Sequence, residues 1–251
     1  SKITAIEADI IFSEAKQQPV MGHPPTTDND LTLKDFLDTL LSAEFQGAKG
    51  SANKNIVKLD FKSEAAFEPS VSLIRDFLAK TGGAPSAVWV NADILAGPNG
   101  SQPLFNASKF IQQALEIGPV VLSVGWTTGG NSSESLLRQI QRWVIAELGI
   151  SVEPYTPAMV SEMLALLPPG VPVTFPIKAP LLASSWAALK PLLDRREHSL
   201  TLWYSKSKMD IPSIQEMWSL LESTEELRDR TFYDLSGFAE FLTAHRQSQE
   251  Q

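Results

Sequence analysis

The chain has 251 residues, of which 43% are hydrophobic and 20% are charged. This composition is typical of a soluble globular protein with a large buried core. The formal net charge of −8 argues against a nucleic-acid partner, because neutralising phosphates needs a basic surface. No cysteine is present, which excludes disulfides, thiolate metal sites and cysteine nucleophiles. No apolar run reaches the roughly 18 residues that a membrane span needs, and no apolar signal segment opens the chain.

Short apolar stretches alternate with segments of helical periodicity along the chain. The predicted strands are Ala5–Phe12, Asn55–Phe61, Ala87–Leu95, Val120–Trp126, Val171–Ile177, Leu200–Tyr204 and Thr231–Leu235. The predicted helices are Leu33–Leu41, Val71–Leu78, Phe110–Leu115, Leu136–Leu148, Met159–Leu166, Trp186–Leu192, Ile214–Leu221 and Phe238–His245. This alternation predicts an α/β fold with a parallel sheet and outer helices. We expect one domain over residues 1–251, with a frayed polar tail at 247–251.

Three of these strands carry polar residues two positions apart, which places them on one face. These residues are Glu7 and Asp9, then Lys58, Asp60 and Lys62, then Asn91 and Asp93. If helices cover the apolar faces, the polar faces point into a closed barrel, where charges need partners or a bound cation. The alternative is an antiparallel sheet with one wet face, which the intervening helical segments disfavour.

The carboxylates of this polar face predict a site at the carboxyl ends of the strands. Hard oxygen ligands suit Mg²⁺ or Ca²⁺, whereas zinc prefers histidines or thiolates. His23 follows the first strand and is a candidate general acid or base beside the carboxylates. We expect surface roles for the other two histidines, His198 and His245.

A series of short motifs in this order resembles the menorin domain, the FAM151 family. They are Glu7-Ala-Asp9, Gly22-His23-Pro-Pro, Lys58-Leu-Asp60-Phe-Lys62-Ser63, Trp89-Val-Asn91-Ala-Asp93, Gly97-Pro-Asn99, Leu122-Ser-Val-Gly125-Trp126, Val173-Thr-Phe175-Pro, Ser199-Leu-Thr-Leu-Trp203 and Phe232-Tyr-Asp234. That family is similar to the phosphodiesterase superfamily of TIM-type (β/α) barrels, the PLC-like phosphodiesterases. The superfamily includes glycerophosphodiester phosphodiesterases and phospholipase D-like enzymes.

The resemblance implies roles for individual residues. Glu7, Asp9 and Asp60 match the ligands of a divalent cation, Mg²⁺ or Ca²⁺. Lys62 matches a phosphate-binding lysine, and His23 matches the second of two catalytic histidines. The predicted substrate-lining residues, which rest on their positions in the strands, are Lys58, Asn91, Asp93, Trp126, Lys178 and Trp203.

The sequence also departs from the superfamily pattern. Its members carry a Trp-x-His-Ala-like segment with the first histidine upstream of the Glu-x-Asp pair, and this sequence begins after that point. Seven strands are predicted where such a barrel has eight, so the first strand is missing from the count. Either that strand lies outside this sequence, which we favour, or the chain forms an open or seven-stranded variant for which a two-histidine mechanism is excluded.

Three functions remain open from the sequence. The first is a metal-dependent phosphodiesterase or lyase acting on a glycerophosphodiester-like or lysophospholipid-like substrate, meaning a small molecule or a lipid headgroup. The second is a non-catalytic module for cell-surface protein partners, a role that the resemblance implies through the family's association with neuronal patterning. The third is a degenerate barrel that binds a cation or phosphate without chemistry. Asn-x-Ser sequons at Asn99, Asn106 and Asn131 leave the compartment open, either extracellular or cytosolic.

Overall fold

The computed structural model describes residues 5–41, 56–81, 88–129, 153–204, 209 and 211–249. Within these residues lie eight strands: β1 Ala5–Ser13, β2 Gln18–Met21, β3 Ile56–Phe61, β4 Val88–Ala96, β5 Val121–Thr127, β6 Val173–Lys178, β7 His198–Trp203 and β8 Thr231–Asp234. All seven predicted strands are confirmed, with ends that differ by two residues or fewer. The count of seven was wrong, because β2 was missed.

Helices alternate with the strands as predicted. They are α1 Leu33–Leu41, α2 Glu64–Phe67, α3 Ser70–Thr81, α4 Ala107–Ile117, α5 Pro157–Leu166, α6 Leu182–Leu189, α7 Ile211–Ser223, α8 Glu225–Asp229 and α9 Phe238–Gln249, with 3₁₀ turns at Ala179–Leu181 and Lys190–Leu193. The predicted helix Leu136–Leu148 lies outside the described residues. The last helix runs to Gln249, into the predicted polar tail. None of the described helices is both long enough and apolar enough to span a bilayer.

The strands form a mostly parallel sheet in the order β2-β1-β3-β4-β5-β6-β7-β8. Parallel pairing of β1 with β3, β3 with β4 and β7 with β8 contradicts the alternative of an antiparallel sheet with a wet face. The antiparallel strand β2 pairs with β1 at the end of this order. Its four residues include Pro19, which is tolerated at a sheet edge but weakens the strand signal in the sequence.

The fold divides into two compact units. The first comprises Ser1–Ile94, Pro103–Gly125 and Leu166–Val173, and the second comprises Leu95–Gln102, Trp126–Ala165 and Thr174–Gln251. Each unit has its own aromatic core. In the first, Phe67 contacts Phe61 and Phe110 at centroid distances of 5.0 and 4.5 Å. In the second, Trp126 packs edge-on against Tyr155 at 5.5 Å.

Candidate functional site

The polar rows of β1, β3 and β4 come together in the first unit. Parallel pairing aligns Glu7 with Lys58, and Asp9 with Asp60. On the other side of β3, Asp60 aligns with Asn91. Because residues two apart on a strand share a face, this register gathers the charged side chains that the sequence predicted into one cluster.

Two lysines hold the carboxylates of this cluster together. Lys58 Nζ lies 3.0 Å from Glu7 Oε2, and its side chain is only 6% exposed. Lys62 Nζ bridges Asp9 Oδ1 at 2.8 Å and Asp60 Oδ2 at 2.7 Å. Burial alone would lower the pKa of Lys62, but the charges and hydrogen bonds of Asp60 and Asp9 outweigh it and hold the pKa above its usual value. The Lys62 ammonium is therefore charged at neutral pH.

The spacing of the three carboxylates is compatible with a shared cation. Glu7, Asp9 and Asp60 each offer an oxygen, and these oxygens lie within 4.8 Å of one another. Two ligands of one Ca²⁺ lie at most about 5.2 Å apart, and two ligands of one Mg²⁺ at most about 4.2 Å apart. Separations of up to 4.8 Å are close to what three ligands of one Ca²⁺ need, and the shorter Mg²⁺–oxygen bonds need a tighter arrangement.

Asp93 lies two residues beyond Asn91 on β4 and has an unusual proton affinity. Crowding by protein atoms, followed by the charge of Asp60, raises the pKa of Asp93 to about 7, although Lys62 and Lys58 oppose the shift. The side chain nevertheless keeps an exposed surface. Asp93 is therefore a carboxyl whose charge changes near neutral pH.

His23 lies close to the cluster along the backbone. The N–H of Gly22 donates to the carbonyl of Asp9 at 2.9 Å. Gly22 therefore lies opposite Asp9, and His23 is the next residue along the chain. Its ring is exposed, and Nδ1 lies 2.6 Å from the carbonyl oxygen of Pro24. The structure gives no contact between this ring and the three carboxylates.

The other three predicted lining residues belong to the second unit. Lys178 Nζ lies 3.2 Å from the carbonyl oxygen of Gly129 and 5.9 Å from the ring centroid of Trp203. Trp126 is 1% exposed and lies in the aromatic core. Trp126 therefore has almost no accessible surface, whereas Trp203 is only half-buried.

Two features of the polar residues were not foreseen. Ser123 on β5 is fully buried, and its hydroxyl donates to Asn91 Oδ1 at 2.6 Å. A serine within an otherwise apolar strand was the available signal. The surface role expected for His198 was wrong: this residue is 1% exposed, and its Nδ1 lies 2.9 Å from the carbonyl oxygen of Leu192.

Comparison with known proteins identifies the family. The profile of the Menorin N-terminal domain matches residues 1–239. The chain belongs to the menorin (FAM151) family. It is 33% identical to human "Protein FAM151B" over 236 residues, which cover 92% of this chain and 74% of that protein. No solved structure matches the chain. The resemblance read from the ordered motifs of this menorin-family chain is thus confirmed.

Proposed function

We propose that this menorin-family protein is a divalent-cation-dependent phosphodiesterase on a TIM-type (β/α) barrel, acting on a glycerophosphodiester-like or lysophospholipid-like substrate. One observation carries the proposal. Three carboxylate oxygens, from Glu7, Asp9 and Asp60, lie within 4.8 Å of one another on adjacent parallel strands, and the Lys62 ammonium contacts two of these groups. Clustered carboxylates with a neighbouring cationic side chain suit phosphoryl chemistry.

The charge of the cluster favours an anionic substrate. Three carboxylates and the ammonium groups of Lys58 and Lys62 carry a net charge of −1. A bound divalent cation changes that value to +1, which complements the single negative charge of a phosphodiester. Near neutral pH Asp93 is partly protonated, so it adds less than one full negative charge to the cluster. A neutral substrate such as a glycoside would gain no electrostatic attraction from this net charge.

The residues of the chain divide the chemistry among them. Mg²⁺ or Ca²⁺ held by Glu7, Asp9 and Asp60 would polarise a phosphoryl oxygen. Lys62 neutralises a non-bridging phosphate oxygen through its Nζ. Lys58 is buried against Glu7 and orients that carboxylate. Lys178 and Trp203 belong to the second unit, and their substrate contacts stay a prediction from the sequence.

Proton transfer to the leaving oxygen has two candidate donors. His23 is favoured by the family motif and by its backbone position next to Asp9. Asp93 is favoured by its pKa of about 7, because a general acid works best with a pKa near the operating pH. The variants His23→Gln and Asp93→Asn separate the two, since loss of the donor lowers kcat about 100-fold or more.

The test is turnover by the natural full-length chain with a panel of phosphodiesters in Mg²⁺ or Ca²⁺. We expect hydrolysis that chelation abolishes and that Asp60→Ala lowers to background. Asp76→Ala removes an exposed carboxylate on α3 and serves as the matched control, with activity retained. Equal activity in wild type and Asp60→Ala would contradict the proposal.

A non-catalytic module that binds cell-surface proteins is the second candidate. The ion pairs of Lys58 and Lys62 favour it, because carboxylates neutralised by lysines can serve as a purely structural network. Asn99 and Asn106 are exposed, and Asn131 lies outside the described residues. The absence of both turnover and cation binding, together with glycan at these sequons, would support this function.

A further inference from the structure

Four polar side chains form a row across neighbouring strands of the first unit. Asp9, Asp60 and Asn91 are register partners on β1, β3 and β4, and Ser123 on β5 continues the row through its hydrogen bond to Asn91. The row runs from partly exposed to fully buried. The side chain of Asp60 is 15% exposed, whereas Asn91 is 4% and Ser123 is 0% exposed.

Chemistry fixes the direction of each hydrogen bond in this row. The Asp60 carboxylate is charged in its ion pair with Lys62, so it can only accept hydrogen bonds. The group of Asn91 that lies 2.8 Å from Asp60 Oδ1 must therefore be the amide nitrogen, Nδ2. The amide oxygen of Asn91 then faces Ser123, whose hydroxyl donates to it at 2.6 Å. A flipped Asn91 amide would break both bonds.

The consequence is a carboxylate with a fixed orientation. Asn91 holds Asp60 Oδ1 at 2.8 Å, so Oδ2 is the oxygen that turns toward Lys62 and the Asp9 side of the row. Asn91 is itself held by a buried hydroxyl, so rotation of the Asp60 carboxylate about its Cβ–Cγ bond has to break a part-buried hydrogen bond to an amide that cannot easily follow. Partners of this kind orient ligating carboxylates in metal sites.

We propose that Asn91 and Ser123 are positioning residues. Ser123 orients the Asn91 amide, and Asn91 orients the Asp60 carboxylate toward the cation held with Glu7 and Asp9. This inference rests on the proposed function. It gives Asn91 a role other than the substrate lining expected from the sequence. Both polar ends of its amide face protein groups, and its side chain is buried.

A buried polar pair elsewhere in the chain provides a matched control. Thr174 and Thr201 are also buried, and their hydroxyls lie 2.8 Å apart. That hydrogen bond involves no acidic residue. The variant Thr174→Val therefore removes a buried hydroxyl contact of the same kind without touching the orientation of Asp60.

The experiment measures Mn²⁺ binding to the natural full-length chain by calorimetry and electron paramagnetic resonance, with Mn²⁺ as the probe for oxygen ligands. We expect the Kd to rise about tenfold in Ser123→Ala and toward about 100-fold in Asn91→Leu, with an altered Mn²⁺ spectrum. Thr174→Val keeps the wild-type Kd and spectrum even if its Tm falls. Equal Kd values in Ser123→Ala and wild type would overturn the inference.

Metal-free crystal structures of wild type and Ser123→Ala supply the second measurement. The inference predicts a rotated or disordered Asp60 carboxylate in Ser123→Ala, and an unmoved carboxylate overturns it. If wild type binds no Mn²⁺ but Asp60 rotates in the variant, the proposed function fails while the positioning of Asp60 stands. If wild type binds Mn²⁺ but the variants bind it equally well, the inference fails alone.

Discussion

The ion pair between Lys58 and Glu7 is asymmetric, and this asymmetry yields a sharp prediction. The Lys58 side chain is 6% exposed, whereas the Glu7 side chain is 34% exposed. In Glu7→Gln a buried ammonium loses its counter-charge where water reaches it poorly. In Lys58→Met the remaining carboxylate can be hydrated, and a buried charge is replaced by an apolar chain of similar length. The first change is therefore expected to destabilise the fold much more than the second.

The magnitudes follow from the same exposures. Removing one partner of a fully buried pair costs about 3–5 kcal/mol. Because water reaches Glu7, we expect roughly 2–3 kcal/mol for Glu7→Gln, which corresponds to a Tm lower by roughly 5–10 °C in a chain of this length. For Lys58→Met we expect a change within about 1 kcal/mol in either direction. The double variant should recover most of the loss seen in Glu7→Gln.

The assay is guanidinium denaturation followed by circular dichroism, with calorimetry for Tm. Asp38→Asn breaks the exposed ion pair between Lys34 and Asp38 on α1, and as the matched control it should leave the midpoint unchanged. The reasoning is refuted if Lys58→Met destabilises the protein as much as Glu7→Gln, or if the double variant is as unstable as the two losses added together.

Four further predictions concern the cation, two titrating groups and a helix cap. Saturating Ca²⁺ or Mg²⁺, at about 100 times its Kd, should stabilise wild type by about 2.7 kcal/mol but leave Asp60→Ala unchanged, as measured by denaturation with and without chelator. The pKa of Asp93 is raised from 3.8 to about 7. Between pH 3.8 and about 7 the folded state therefore binds more protons than the unfolded state, and stability falls as the pH rises. Stability measured against pH should not show this fall in Asp93→Asn. Burial lowers the pKa of His198 from its usual 6.5. Just below pH 6.5 the unfolded state therefore binds more protons than the folded state, and stability decreases as the pH falls. This decrease should be smaller in His198→Gln, measured in the same titration. The Asn106 side chain accepts from the N–H of Lys109 at the start of α4, so Asn106→Ala should lower the free energy of unfolding by about 1 kcal/mol.

The sequence was most informative where residues alternate along a strand. The spacing of Glu7 with Asp9 and of Asp60 with Lys62 predicted one polar face on each strand. Parallel pairing then aligned those faces, since Asp9 is the register partner of Asp60. Only the order and direction of the strands were needed to predict that the carboxylates would meet, and strand–helix alternation supplied both.

Longer-range contacts escaped the sequence analysis. A surface role was expected for His198, which lies just before a predicted strand and directly after the charged residues Arg195, Arg196 and Glu197. In the structure Arg230 donates to the carbonyls of His198 and Leu193 at 2.9 and 2.7 Å. These contacts join segments more than 30 residues apart and help to bury the start of β7. No local pattern encodes such a contact.

The lysines explain how the carboxylates can assemble before any cation is bound. Two carboxylates 4 Å apart repel each other by about 4 kcal/mol at an effective dielectric constant near 20. Lys62 lies within 2.8 Å of both Asp9 and Asp60, so its attraction to each offsets that repulsion. The same ammonium therefore competes with a divalent cation for these two oxygens. In an enzyme, Lys62 must leave at least one carboxylate as the cation binds, which frees its Nζ for a phosphate oxygen. In a purely structural network Lys62 has no reason to move, so its position in the presence of Mg²⁺ or Ca²⁺ separates the two proposed functions.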